Sequence, residues 1–345
     1  FILAAIVVLG VLAQWIAWRL KIPSILLLLL IGILAGPVFR SVAGDSSLAA
    51  FAKSPDELFG ADLLLALVGL AVALILYEGG LTLRFSELKG VGRSIFALVT
   101  LGALVTWVVA AGASLLFFQL RVDIAILFGA IVIVTGPTVI GPMLTHIRPA
   151  GAVGPILRWE GIVIDPIGVL AAVLVFEAII INQTGAVTTM GVVLANQKRA
   201  DIRHIIEFKE NIRVLLISTL FIVLGARLEL GQILSVDLWA MAALLVVLIV
   251  VARPLGAMIS TVGSGLSWNE RLFIACVAPR GIVAAAGASI FALGLKSRGI
   301  SGAEQLVPLT FMVIVGTVTI YGLAATPLAR ALGVSDQNPQ GIVFI

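Results

Sequence analysis

The chain has 345 residues, 61% of them hydrophobic, only 12% charged, and a mean hydropathy of +1.20. Soluble domains carry about twice that share of charge, so an ordinary water-soluble core is excluded. The net charge of +4 comes from 22 Lys and Arg against 18 Asp and Glu, and it is read as loop asymmetry rather than affinity for nucleic acid. The single cysteine, Cys276, sits in an apolar run, which excludes a disulfide framework and a cysteine zinc site.

Crossing about 30 Å of hydrocarbon takes about 20 apolar residues at about 1.5 Å per residue. Segments meeting that demand are predicted at 1–18, 23–39, 62–83, 94–118, 124–144, 158–181, 213–228, 238–262, 272–295 and 305–333. This is an all-α polytopic membrane protein. The first segment lacks a basic leader region and is expected to be a span rather than a signal peptide. His146 and His204 lie in basic loops. The most basic loops, 84–93 and 198–213, are expected in the cytoplasm, which places 40–61 outside and the C-terminus inside. Alternation then fails between 182 and 198, because AVTTMGVVLANQ (186–197) is too short and too polar to span. Residues are therefore expected to be missing near 184–189, a re-entrant segment being the competing explanation. The domain reading is a transmembrane unit over 1–333. A linker and the start of a cytoplasmic domain are expected at 334–345, where GIVFI reads either as a first strand or as a frayed tail.

Two spans carry breakers at their middles. Span 124–144 contains VTGPTVIGP, with Gly136 and Pro137. Span 272–295 contains VAPRGIVAAAG, with Pro279 and Gly281 around Arg280. Proline removes a backbone donor and displaces the carbonyl four residues back. Interrupted helices at matching places in two oppositely running halves are a sequence pointer to a transporter's midplane site.

Between these breaks lies RWEGIVIDPIG (158–168). Charges in hydrocarbon cost at least about 2.5–3.5 kcal/mol and are paired, wet or functional. Asp165 lies about 10 Å into its span at about 1.5 Å per residue. Desolvation disfavours its charged form, so its carboxyl can trade a proton for a cation. Glu160 lies about 140° around the helix from Asp165, at about 100° per residue. The two share a site only if Pro166 loosens the turn or the site is approached from two sides; otherwise Glu160 is a span-end residue or a partner of Arg158. Glu78 and Arg280, opposite charges in separate spans, are expected to form a structural ion pair.

With KIPSILLLLLIGILAGP (21–37), LYEGGL (76–81), VTGPT, the Glu160–Asp165 spacing and APRGIVAAA in this order, the chain resembles the monovalent cation/proton antiporter superfamily, most closely the NhaP- and NHE-type exchangers. The resemblance implies an inverted-repeat antiporter fold with two crossed, unwound helices and about 12–13 membrane helices in the full chain. It also implies a homodimer with alternating access in a bacterial inner membrane, serving pH homeostasis. Asp165 matches the family's essential aspartate, Glu160 its upstream site glutamate and Thr135 its threonine, with Thr138 a further oxygen donor. The family's Glu–Arg pair falls on Glu78 and Arg280. Three positions depart from the pattern: Gly136 replaces an aspartate, Ile164 an asparagine and Gly161 a serine. The looser site leans towards potassium over sodium, and a single acid predicts electroneutral exchange of one cation per proton. No cofactor is expected in this chain; a nucleotide would belong to a further C-terminal domain of the potassium-conductance type. The chain is not read as an enzyme, since its spans hold no HExxH and no serine–base pair. A related-fold symporter of an organic anion, held by Arg280, is the alternative.

Overall fold

The structure, a computed structural model, describes residues 2–20, 24–39, 83, 85–88, 90–184 and 236–335, with a few single positions between 219 and 231. Spans 62–83 and 213–228 therefore lie almost wholly outside the described residues, as do Glu78, the expected gap near 184–189 and the GIVFI strand. All the regular elements among the described residues are helical.

Two N-terminal helices come first, α1 (Ile2–Leu20) and α2 (Ser24–Ile33), the latter running on through a π-helical turn at Leu34–Val38. A rod follows, built from α3 (Gly92–Ala97), a π-helical segment at Leu98–Gly102 and α4 (Ala103–Phe118). The predicted span 124–144 is two helices, α5 (Val122–Val132) and α6 (Pro137–Ile147). The long α7 (Val153–Thr184) completes this half. The second half repeats the order. A rod of α8 (Leu238–Val246), a π-helical segment at Val247–Ala252 and α9 (Arg253–Ser260) precedes a broken pair, α10 (Trp268–Ala275) and α11 (Ile282–Lys296), and then a long α12 (Leu306–Ala331). The starts Gly92, Val122 and Pro137 match Leu238, Trp268 and Ile282, with the spacing reproduced to within one residue. The rods Gly92–Phe118 and Leu238–Ser260, together with Val153–Ile180 and Ala303–Ala331, are long and apolar enough to cross a membrane.

Local signals fix the ends. Asp237 accepts a hydrogen bond from the Trp239 amide at the head of α8, and Ser267 and Glu270 form a reciprocal capping box on α10. Helix α7 begins five residues before the expected start. Pro155 is tolerated there because a first-turn residue needs no amide donor. Pro166 stands inside α7 and the helix continues through it, so the expected loosening between Glu160 and Asp165 is absent.

Helix α5 is the most enclosed element, with every residue from Leu127 to Val132 buried against α4 and α7. Trp107 on α4 donates its indole N–H to the carbonyl of Ile126 at 2.9 Å, fixing that packing. Leu104, Val108, Leu116, Leu170, Leu174, Val250 and Leu323 point outwards, as expected of side chains that meet lipid rather than water. At one end of the bundle the Ala150 amide donates to Val334 at 2.7 Å, Pro149 and Ser335 form an antiparallel bridge, and Asn269 donates to the carbonyl of Leu332 at 3.0 Å.

Candidate functional site

The two chain breaks meet. After α5 ends, residues 134–136 leave the helical path and Gly136 caps α6, whose first residue is Pro137; after α10 ends, 276–281 are irregular and Gly281 caps α11. Proline at the first helical position has the backbone angle a new helix needs. Thr135 and Arg280 pair as an antiparallel bridge, and the Gly136 amide donates to the carbonyl of Pro279 at 3.1 Å. Antiparallel pairing means that the interrupted segments run in opposite senses, which is the inverted repeat read from the charges. Gly136 and Gly281 touch backbone to backbone: a Cβ on either would fall inside 3.0 Å of the other's Cα.

Helix α7 presents Asp165 to this crossing. Gly161, Asp165 and Gly168 are spaced i, i+4, i+7 and so share a helix face. A Cβ at 161 would lie 2.9 Å from Ile140 and 3.8 Å from the Cα of Pro137, and one at 168 would lie 3.2 Å from Ile133. That face therefore packs on the segment that carries Thr135 and Thr138. From Val153, Asp165 stands about 18 Å along the helix axis, deeper than the sequence expectation. It is fully buried, and Thr135 and Thr138 are 3% and 4% exposed. Both carboxylate oxygens of Asp165 and both threonine Oγ1 atoms lack a hydrogen-bond partner among the described residues. Buried polar atoms are nearly always satisfied, so four unsatisfied hard oxygens around one break constitute a candidate cation site. Among the described residues no cluster of three His, Cys, Asp or Glu exists, and the site rests on one carboxylate.

Helix ends supply the rest of the electrostatics. The N-terminus of α6 places a partial positive charge beside Asp165, although its Gly136 and Val139 amides already donate to the carbonyls of Pro279 and Gly136 at 3.1 Å each. At the tail of α5 the opposite holds: Arg280 donates from Nη1 to the carbonyl of Ile133 at 3.1 Å, a cation against a helix C-terminus. The Arg280 amide in turn donates to Thr317 Oγ1 on α12 at 3.2 Å.

The expected partnerships are redrawn. Arg158 pairs with Glu87 at 3.4 Å, not with Glu160. Glu160, set by the helical twist on another face of α7, forms a two-pronged pair with Arg253 of α9, Nη2 to Oε2 at 2.9 Å and Nη1 to Oε1. Arg253 also donates from Nε to the carbonyl of Ile274 at 3.0 Å. With both its oxygens engaged, Glu160 does not join Asp165's oxygen set; it ties α7 to the second broken helix. Arg280's recorded acceptor is a carbonyl, and its expected partner Glu78 lies outside the described residues. Arg253 and Thr317 are the residues that sequence reasoning misses. A charged side chain in VVARPLG, inside span 238–262, is the available signal for Arg253.

Comparison with known proteins agrees with this fold. The Na+/H+ antiporter 1 of Methanocaldococcus jannaschii is 27% identical over 359 residues, covering 81% of this chain and 80% of the relative. A structure of the sodium proton antiporter MjNhaP1 from that organism at pH 8 superimposes with a TM-score of 0.74 at 22% identity, over 96% of this chain and 97% of the other. A second structure of that antiporter gives 0.72 at 23% identity, over 97% and 98%. The transmembrane sodium/hydrogen exchanger family matches residues 3–190 and 169–331. With the crossed breaks, the repeat and the buried aspartate in place, the chain belongs to the sodium/hydrogen exchanger family of membrane transporters and is not an enzyme.

Proposed function

We propose that this protein exchanges a monovalent cation for a proton, the two competing for Asp165. The observation that carries the reading is a fully buried carboxylate without a hydrogen-bond partner among the described residues, on the helix face that packs against the Thr135–Thr138 break. Ionised, Asp165 holds a desolvated alkali cation together with the threonine hydroxyls and carbonyls released by the break. Protonated, it is neutral and needs no cation. Either way the loaded site carries the same charge, because one proton or one monovalent cation neutralises the single carboxylate. Exchange is therefore electroneutral, one cation per proton. The two loaded forms cross between the membrane faces by alternating access, while the bare carboxylate is held back by its desolvation cost.

Sodium is the first candidate cation, since the curated relative is a Na+/H+ antiporter. Potassium is the second, because a site with one carboxylate grips a small cation less strongly. The protein acts as a homodimer in a bacterial inner membrane with its C-terminus in the cytoplasm, as the loop charges and the family resemblance imply.

Reconstitution in proteoliposomes with an internal pH dye tests this. Sodium or potassium chloride alone should drive proton flux, and Asp165→Asn should abolish it. Full flux in Asp165→Asn refutes the assignment. Flux that requires an added organic anion would identify a symporter.

A further inference from the structure

We infer that Gly136 and Gly281 are positioning residues for the cation site, and that their backbone contact sets its affinity and its discrimination between sodium and potassium. The inference rests on the antiport reading above. Each glycine caps a helix at the crossing, α6 and α11 respectively. Neither has a positive φ (−82° at Gly136, −99° at Gly281), so backbone conformation does not demand glycine. Space does: a Cβ on either residue would fall inside 3.0 Å of the other's Cα, a separation that real Cβ atoms essentially never show. Both neighbours are main chain and cannot rotate away, so any larger residue forces the two breaks apart.

What would move is the ligand set. Gly136 is bracketed by Thr135, paired to Arg280, and by Thr138, whose Oγ1 lies 3.4 Å from where a Gly136 Cβ would stand. A side chain at 136 would thus intrude beside one unsatisfied hydroxyl and push the other with its bridge. Asp165 stands on a different helix, α7, which meets this segment through Gly161 at Pro137 and Ile140 and through Gly168 at Ile133 and Val134, not through either crossing glycine. The glycine contact therefore decides how far Thr135 and Thr138 stand from the carboxylate. A displacement of about 1 Å is large for a cage that replaces a hydration shell, since oxygens at about 2.3–2.6 Å and those about 1 Å farther bind very differently.

The test uses the full chain in proteoliposomes. Gly136→Ala and Gly281→Ala are compared with Gly287→Ala, a control on α11 whose Cβ would meet only the Phe291 ring of its own helix at 3.4 Å. Apparent KM for sodium and for potassium is read at fixed pH. Each crossing variant should raise KM tenfold or more and change the sodium-to-potassium KM ratio at least threefold, with Gly287→Ala within twofold of the parent. Folded crossing variants with unchanged KM and ratio overturn the inference. If neither variant folds, the isosteric Thr135→Val and Thr138→Val decide: they should shift the same ratio, and an unchanged ratio in both leaves the contact nothing to position and overturns it. Failure of the antiport reading is distinct, because it appears as absent salt-driven flux in the parent or full flux in Asp165→Asn.

Discussion

Removing the negative partner of the buried Glu160–Arg253 pair gives the sharpest test of how the second broken helix is held. Glu160→Gln leaves Arg253, 6% exposed, facing an amide that returns one acceptor where two charged ones stood. Breaking one side of a buried ion pair costs about 3–5 kcal/mol, because the remaining charge stays desolvated and unpaired. At about 1.4 kcal/mol per decade, that lowers the folded-to-unfolded ratio by roughly a hundredfold to a few thousandfold. Arg253→Met leaves the glutamate unpaired, also frees the Ile274 carbonyl, and should cost at least as much. Replacing both, as Glu160→Leu with Arg253→Met, removes both charges and should recover more than about 2 kcal/mol of the summed loss. Unfolding in mixed micelles, followed through the six tryptophans, supplies all three numbers. If the double variant equals the sum of the singles to within about 0.5 kcal/mol, the groups do not interact and the described tie between α7 and α9 is wrong.

Other outcomes follow from single contacts. Where protonation of Asp165 dominates, lowering the pH by one unit should raise the apparent cation KM about tenfold with Vmax unchanged, since one proton competes with one cation; a Vmax that falls while KM holds would exclude direct competition. Exchange rates should be indifferent to an imposed potassium-diffusion potential when sodium is the substrate, and a rate that scales with voltage would refute the single-carboxylate stoichiometry. Thr317→Val removes the hydroxyl that accepts the Arg280 amide and should cost about 1–3 kcal/mol in the micelle titration. Ser267→Ala dismantles the capping box on α10, costing about 0.5–2 kcal/mol while leaving cation KM unchanged.

Most of the architecture can be read from local chemistry. Proline and glycine at 136–137 and 279–281 announce the breaks because they remove donors within a few residues of themselves. Asp165 stands out because a carboxylate in an apolar run has few innocent explanations. The partner of Glu160 cannot be read the same way. Arg253 is far along the chain, Arg158 is two positions away, and composition prefers the near neighbour; the choice is made by which face of α7 meets α9. The sequence underestimates the depth of Asp165 because Gly154 and Pro155 mimic a loop, although proline is harmless in a first helical turn. Likewise, Pro166 suggests unwinding where the helix carries on, with its ring on an exposed part of the α7 surface. The reason for glycine at 136 also depends on a residue in the other half of the repeat, so no local pattern contains it.

One consequence concerns the far end of α12. Residues 332–335 are stitched to the turn before α7 and, through Asn269, to the first turn of α10. These are the bases of the helix that bears the carboxylate and of the helix that leads to the arginine break. A pull or twist applied at Ser335 is not dissipated in a slack tail. Through these contacts it would reach the two helices on which the candidate site is mounted.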